Sequence, residues 1–131
     1  MFTLNIENNI GRGMILYIHV HKSLSAVEVK LETEFQESIF ARIQLNNKEK
    51  LLIGLVYRSP SDSGNSSNNE NLIQLFKEAS ILDFSHKLFI GDFNYPCINW
   101  ETWSCTNNST TTPEFRFIEC IRDFFLTQHT V

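Results

Sequence analysis

The segment that most constrains the fold is residues 51–57, whose sequence LLIGLVY is an almost continuous apolar run. A half-buried strand alternates apolar and polar side chains, whereas an unbroken apolar strand must be covered on both of its faces. The sequence therefore predicts a central strand with further layers packed on either side. A shorter segment, KLFI at residues 87–90, has three consecutive apolar residues after a lysine and predicts a second buried strand.

Strand-like alternation precedes residues 51–57, and helical periodicity follows them. Residues 14–20 and 37–45 alternate apolar and polar side chains, which predicts half-buried strands, and residues 26–31 form a weaker strand-like segment. The polar residues 46–49 predict a short turn and therefore an antiparallel hairpin. Two later segments carry apolar side chains at helical spacing: Leu72, Leu75, Phe76, Ala79 and Leu82 in the first, and Phe117, Ile118, Ile121, Phe124 and Phe125 in the second.

Sequence signals also mark where both helices begin. A capping-box pattern runs from Ser67 to Glu70, and Pro113 follows Thr112, a residue type that caps helices. The order of several strands, a helix, a strand and a helix predicts an α/β fold in which helices pack on a mixed sheet. The length of 131 residues fits one domain, which we expect to extend over residues 1–131.

The charge balance bears on the classes of function that are open to the chain. It has 11 Lys and Arg against 15 Asp and Glu, so its net charge is −4. This balance argues against tight non-specific binding of nucleic acid, which needs cations to neutralise phosphates. It is compatible with a nuclease, because a site that holds metal is itself acidic.

Other features of the sequence concern its environment. No apolar run approaches the roughly 18 residues of a membrane helix, so we expect no membrane span. The three cysteines are odd in number, and the N-terminus has no secretion signal. We therefore expect reduced thiols and an intracellular location, nuclear or cytoplasmic.

The candidate site begins with Gly91, Asp92, Phe93 and Asn94, which directly follow the predicted strand at residues 87–90. Ligands of layered α/β folds gather at the carboxyl ends of strands, and a glycine there permits close approach of another group. A carboxylate two residues before an amide lies on the same side of an extended chain. The pair suits a hydrated Mg²⁺ or an attacking water beside a phosphate. The alternative is a loop in which Asp92 and Asn94 cap turns.

Tyr57 and Arg58 end the other buried strand. A phenol and a guanidinium at that position suit contact with a phosphate. The sequence by itself favours the alternative of a core-edge tyrosine and a solvated arginine, followed by a proline that stops the strand. Trp100 and Trp103 suit stacking on bases, but the favoured interpretation is that they cover an open edge of the core.

Taken together, these segments resemble the endonuclease/exonuclease/phosphatase superfamily, and within it the apurinic-type endonuclease domain of non-LTR retrotransposon polyproteins. Five stretches carry the likeness in the family's order: residues 11–18, 37–38, 54–60, 89–100 and 124–129. The resemblance implies a four-layer α/β/β/α sandwich like that of deoxyribonuclease I, with mixed sheets flanked by helices. It also implies hydrolysis of phosphodiester bonds in DNA with Mg²⁺ or Mn²⁺ as cofactor.

The resemblance implies roles for four residues. Asp92 matches the aspartate that orients or deprotonates the attacking water, and we expect it at the metal. Asn94 matches the asparagine that holds the phosphate or the water beside it. Tyr57 matches the tyrosine on the phosphate or leaving-group side. Arg58 follows that tyrosine in the retroelement branch, where we expect it to contact substrate.

The sequence departs from the family at both ends. The family's first strand and its Gln-Glu motif, whose glutamate ligates the metal, should precede Gly11, and Glu7 does not sit in that motif. The closing Ser-Asp-His motif should lie beyond Val131, and His129 belongs to a different stretch. We therefore expect a domain truncated at both ends, with an incomplete metal site, weak binding of DNA and weak or no activity.

Two alternatives to an enzyme stay open. A truncated sheet leaves apolar strand edges free, which favours a non-catalytic, retroelement-derived module that binds a protein partner at those edges. Missing outer strands would also expose the core side of Ile39, Ile43 and Leu55. Such exposure favours aggregation and therefore an unstable fragment.

Overall fold

The computed structural model describes residues 2–7, 13–19, 24–60, 66–106 and 109–129. These residues form three β-sheets and two helices, and the expected α/β class is confirmed. In chain order the elements are β1 (Phe2–Glu7), β2 (Gly13–Ile18), β3 (Ser25–Val29), β4 (Ser38–Gln44), β5 (Lys50–Tyr57), α1 (Ser66–Ile81), β6 (His86–Asp92), β7 (Ile98–Asn99), β8 (Ser104–Cys105) and α2 (Pro113–Asp123).

The main sheet has four strands in the order β3-β4-β5-β6. β4 pairs antiparallel with both β3 and β5. The predicted turn joins β4 to β5, with the Leu45 N–H donating to the Glu49 carbonyl at 2.9 Å. β6 pairs with β5 in parallel. Parallel strands need a long crossover connection, which α1 provides. The sheet is therefore mixed, as predicted.

The two helices cover one face of the main sheet. Phe76 of α1 lies at the centre of this layer, with its ring centroid 4.8 Å from that of Phe89 on β6 and 5.4 Å from that of Phe117 on α2. Leu52 and Val56 of β5 are fully buried beneath the same layer. Aromatic pairs of this kind add about 0.5–1.5 kcal/mol each beyond area burial, so the aromatic cluster orients both helices on the sheet.

One of the two predicted helix starts is confirmed. Thr112 caps α2, its Oγ1 accepts the N–H of Phe115 at 3.4 Å, and Pro113 occupies the first turn. The capping box at Ser67 is wrong, because α1 begins at Ser66 and Ser67 already lies within its first turn. Residues 61–65, which precede α1, lie outside the described residues.

The opposite face of the main sheet carries neither of the two described helices, and we call it the open face. An antiparallel hairpin of β1 and β2 covers the part of it formed by β3 and β4. Ile18 of β2 packs against Ala41 and Ile43 of β4. The expected exposure of Ile39 and Ile43 is wrong, because they are only 4% and 6% exposed, and Leu55, the third residue of that expectation, is partly buried. The strand β1 itself was not predicted from the sequence.

The cover provided by the hairpin does not extend to β6. Leu88 and Ile90, on the open face of β6, are each 46% exposed. The prediction of a buried strand at residues 87–90 is therefore wrong for this face of β6. β6 lies at the edge of the sheet, and neither side chain belongs to the hydrophobic clusters of the described residues.

The polar segment before α2 forms a small β-ribbon of β7 and β8, which the sequence did not reveal. Trp100 and Trp103 lie beside this ribbon, with ring centroids 5.9 Å apart, and both pack against the main core. The favoured interpretation, in which they cover an edge of the core, is confirmed. Gly11 and Arg12, which contribute to the family resemblance, lie outside the described residues. Among the described helices, none is long and apolar enough to cross a membrane.

Glu78 of α1 ties the helix to the loop that follows β3. Its carboxylate accepts hydrogen bonds from the main-chain N–H groups of Glu32 at 2.6 Å and Thr33 at 2.9 Å, and from the Thr33 hydroxyl at 2.5 Å. Partial burial acts to raise the pKa of Glu78, but the hydrogen bonds outweigh it and lower the pKa below its ordinary value.

We expect Glu78→Gln to lower the free energy of unfolding by about 1–2 kcal/mol at about pH 7, because a neutral amide accepts weaker hydrogen bonds than a carboxylate. The folded-state pKa lies below the unfolded one. The carboxylate's extra stabilisation is therefore present above the unfolded-state pKa and is lost as pH falls through the folded-state pKa. Thermal melts at about pH 7 and about pH 3 should show a difference that narrows in acid.

Glu28→Gln is the matched control, because Glu28 is exposed on β3. Its effect should stay within about 0.5 kcal/mol at both pH values. A Glu78→Gln deficit of equal size at both pH values would contradict the role of the ionised carboxylate.

Candidate functional site

The carboxyl ends of β5 and β6 lie side by side. Their parallel register pairs Tyr57 with Asp92, so both side chains belong to the open face. One residue further on, the Arg58 N–H donates to the Asp92 carbonyl at 2.9 Å. The structure thus brings together residues from the two strand ends that the sequence singled out, at the edge where ligands of α/β folds gather.

Gly91 is required because β6 approaches β5 too closely there for a side chain. A Cβ atom on Gly91 would lie 1.7 Å from the carbonyl oxygen of Val56 and 2.7 Å from its carbonyl carbon. The sequence predicted close approach of another group to this glycine. In the structure that group is the neighbouring main chain.

The chain turns at Asn94, whose φ of 47° lies in the left-handed region that asparagine tolerates better than most residues. The Asn94 N–H donates to Asp92 Oδ1 at 3.0 Å, and Asn94 Nδ2 donates to the Arg58 carbonyl at 2.6 Å. The expectation that Asp92 and Asn94 lie along an extended chain is therefore wrong. Asp92 caps a turn, as in the alternative, and the turn directs the amide towards β5.

Arg58 is only 2% exposed, so the interpretation as a solvated arginine is wrong. Its Nε donates to Asn69 Oδ1 at 2.9 Å, and its Nη1 donates to the carbonyls of Asn94 at 2.6 Å and Phe93 at 3.4 Å. The guanidinium carbon lies 4.0 Å from the centroid of the Tyr95 ring. Contact between Arg58 and a substrate stays a prediction, and in this arrangement the guanidinium donates inward.

The positive charge of Arg58 is held by neutral groups. Across the described ranges no carboxylate forms an ion pair with it, and an amide oxygen, two carbonyls and an aromatic face surround it. The Tyr95 hydroxyl donates to the same Asn69 oxygen at 3.1 Å. Burial raises the pKa of Tyr95, with the charge of Arg58 opposing, which favours the protonated, donating phenol. Arg58, Asn69, Asn94 and Tyr95 together form what we call the Arg58 clamp.

Sequence reasoning missed Asn69, Tyr95 and the position of Glu37. Asn69 is 4% exposed on α1, three residues before buried Leu72. A polar residue at a buried position of the apolar stripe is the signal that would have found it. Glu37 precedes β4, and its carbonyl accepts the Tyr57 N–H at 2.9 Å. This partly exposed acid therefore lies at the same edge of the sheet as Tyr57 and Asp92.

The oxygen atoms of Asp92 and Asn94 fit a hydrated magnesium ion. Asp92 is exposed, and one of its carboxylate oxygens is engaged by the Asn94 N–H. Mg²⁺ commonly keeps several waters and takes one or two carboxylates together with substrate phosphates. No cluster of three or more His, Cys, Asp or Glu side chains occurs within the described ranges. Asp92 and Asn94 by themselves offer two side-chain oxygen donors of the type that Mg²⁺ and Mn²⁺ bind.

Comparison with known proteins found no match: no family model, no curated protein and no solved structure is significantly similar to the chain. The likeness to the endonuclease/exonuclease/phosphatase superfamily therefore rests on the sequence motifs.

We expect Gly91→Ala to lower the free energy of unfolding by about 3 kcal/mol or more, because the new methyl group meets main-chain atoms that cannot rotate away. Urea unfolding followed by circular dichroism measures the loss. Ile90→Ala is the control, because Ile90 is half exposed and its truncation should cost less than about 1 kcal/mol. Similar unfolding midpoints for the two variants would contradict the close contact between Gly91 of β6 and the main chain of Val56 in β5.

We expect Arg58→Lys to cost about 2–4 kcal/mol, because lysine keeps the buried charge but cannot reproduce the forked hydrogen bonds to Asn69 and Asn94. Arg42→Lys is the control, since Arg42 is exposed on β4 and its change should stay within about 0.5 kcal/mol. Urea titrations of both variants test the difference. Equal stability of Arg58→Lys and the wild type would rule out the Arg58 clamp as a stabilising feature.

Proposed function

We propose that the chain is a metal-dependent phosphodiesterase-like domain of the endonuclease/exonuclease/phosphatase class, close to retroelement endonucleases, with weak or no activity on DNA by itself. The observation that carries this proposal is the pairing of Tyr57 with Asp92 at adjoining strand ends, with Asn94 held beside them. The mixed sheet, with helices on one face and a β-hairpin on the other, supports the layered sandwich of that class.

Asp92 is the residue that positions the attacking water in this proposal. The Asn94 N–H engages Oδ1 at 3.0 Å, which restrains the carboxylate and leaves its other oxygen to accept a proton from water. Asn94 holds the water or the phosphate through its amide oxygen, since its amide nitrogen is committed to Arg58. Tyr57 shares the open face with Asp92 and offers its hydroxyl to the phosphate or leaving group.

Asp92 and Asn94 are also the residues that would hold the metal ion. When bound, Mg²⁺ or Mn²⁺ supplies charge neutralisation on the phosphate and the leaving oxygen. Arg58 acts as a positioning residue, because its contacts fix the turn at Asn94.

We expect weak activity of residues 1–131 taken alone, because this stretch matches neither the metal-ligating Gln-Glu motif nor the Ser-Asp-His motif of the family. Removing one preorganised electrostatic group commonly costs about 10²–10³ in rate. The rate effects of groups that act together are not additive. The rate without both motifs therefore cannot be obtained by multiplying two separate factors.

A second candidate function is a non-catalytic module that binds a protein partner. The observation in its favour is the edge strand β6, which exposes the apolar side chains of Leu88 and Ile90. Exposed apolar strand edges commonly pair with other chains. This function does not depend on hydrolysis.

We expect about 10 mM Mg²⁺ to raise the thermal midpoint of the wild type, because a site of about millimolar affinity then adds about 1.4 kcal/mol. Asp92→Ala should lose the shift. Asp83→Ala is the matched control, since Asp83 is a fully exposed aspartate just before β6 and should keep it. Melting curves followed by circular dichroism, with and without Mg²⁺, measure the three proteins side by side.

Nicking of supercoiled plasmid by the same three proteins tests the reaction. Slow nicking that Asp92→Ala abolishes and Asp83→Ala retains would support the proposal. Rapid nicking by the wild type that Asp92→Ala abolishes would support the assigned role of Asp92 but would contradict the expected weak activity. A midpoint shift of equal size in both variants, or nicking that survives Asp92→Ala, would remove Asp92 from the assigned role.

A further inference from the structure

We draw no further inference here: the strongest candidate, the groove that runs between β6 and residues 125–129 beside the candidate site, is an apolar surface for which nothing in the described residues shows what covers it.

Discussion

The arrangement of the candidate site depends on one buried guanidinium. Arg58 joins three parts of the fold, because it continues from β5, accepts and donates hydrogen bonds with Asn94 after β6, and donates to Asn69 on α1. A buried cation without a carboxylate partner is costly unless its donors face acceptors in fixed geometry. The hydrogen bonds that satisfy Arg58 also stabilise the left-handed turn at Asn94. The Asn94 carbonyl accepts from the guanidinium, and the Asn94 side-chain amide donates to the Arg58 carbonyl.

The alternation of a β-strand divides the site into a structural side and a chemical side. Neighbouring residues of a strand point to opposite faces, so Tyr57 belongs to the open face while Arg58 enters the helix-covered core. Gly91 and Asp92 also differ in role. Gly91 permits close main-chain packing against β5, whereas Asp92 presents an exposed carboxylate. In each pair, two neighbouring residues that form one candidate motif in the sequence therefore have different roles: one packs within the fold and the other faces the candidate site.

The parts of the fold that the sequence predicts are those set by local burial. The apolar stripe of α1 and the cap of α2 are local patterns, and both are confirmed. The half-buried character predicted for β4 is wrong, because Phe40 is buried on the helix side while Ala41 and Ile43 are buried on the opposite face. The partner of Arg58 is not a local property, because Asn69 lies eleven residues later on a helix and is brought back by the crossover. A turn at Asp92 and Asn94 was one of the two alternatives left open by the sequence, but its attachment to Arg58 is not a local property, because the two residues are 36 positions apart in the chain.

β6 shows how a wrong prediction carries physical information. Its apolar run is typical of a strand covered on both faces, yet Leu88 and Ile90 are half exposed. This mismatch between sequence and burial indicates an incomplete layer among the described residues, because the side chains have the character of core positions while no described element buries them. Asp92 and Asn94 line the same groove as these side chains. A segment that covers β6 must therefore place its own residues beside the candidate site, so that occupancy of the groove and access to Asp92 are physically coupled.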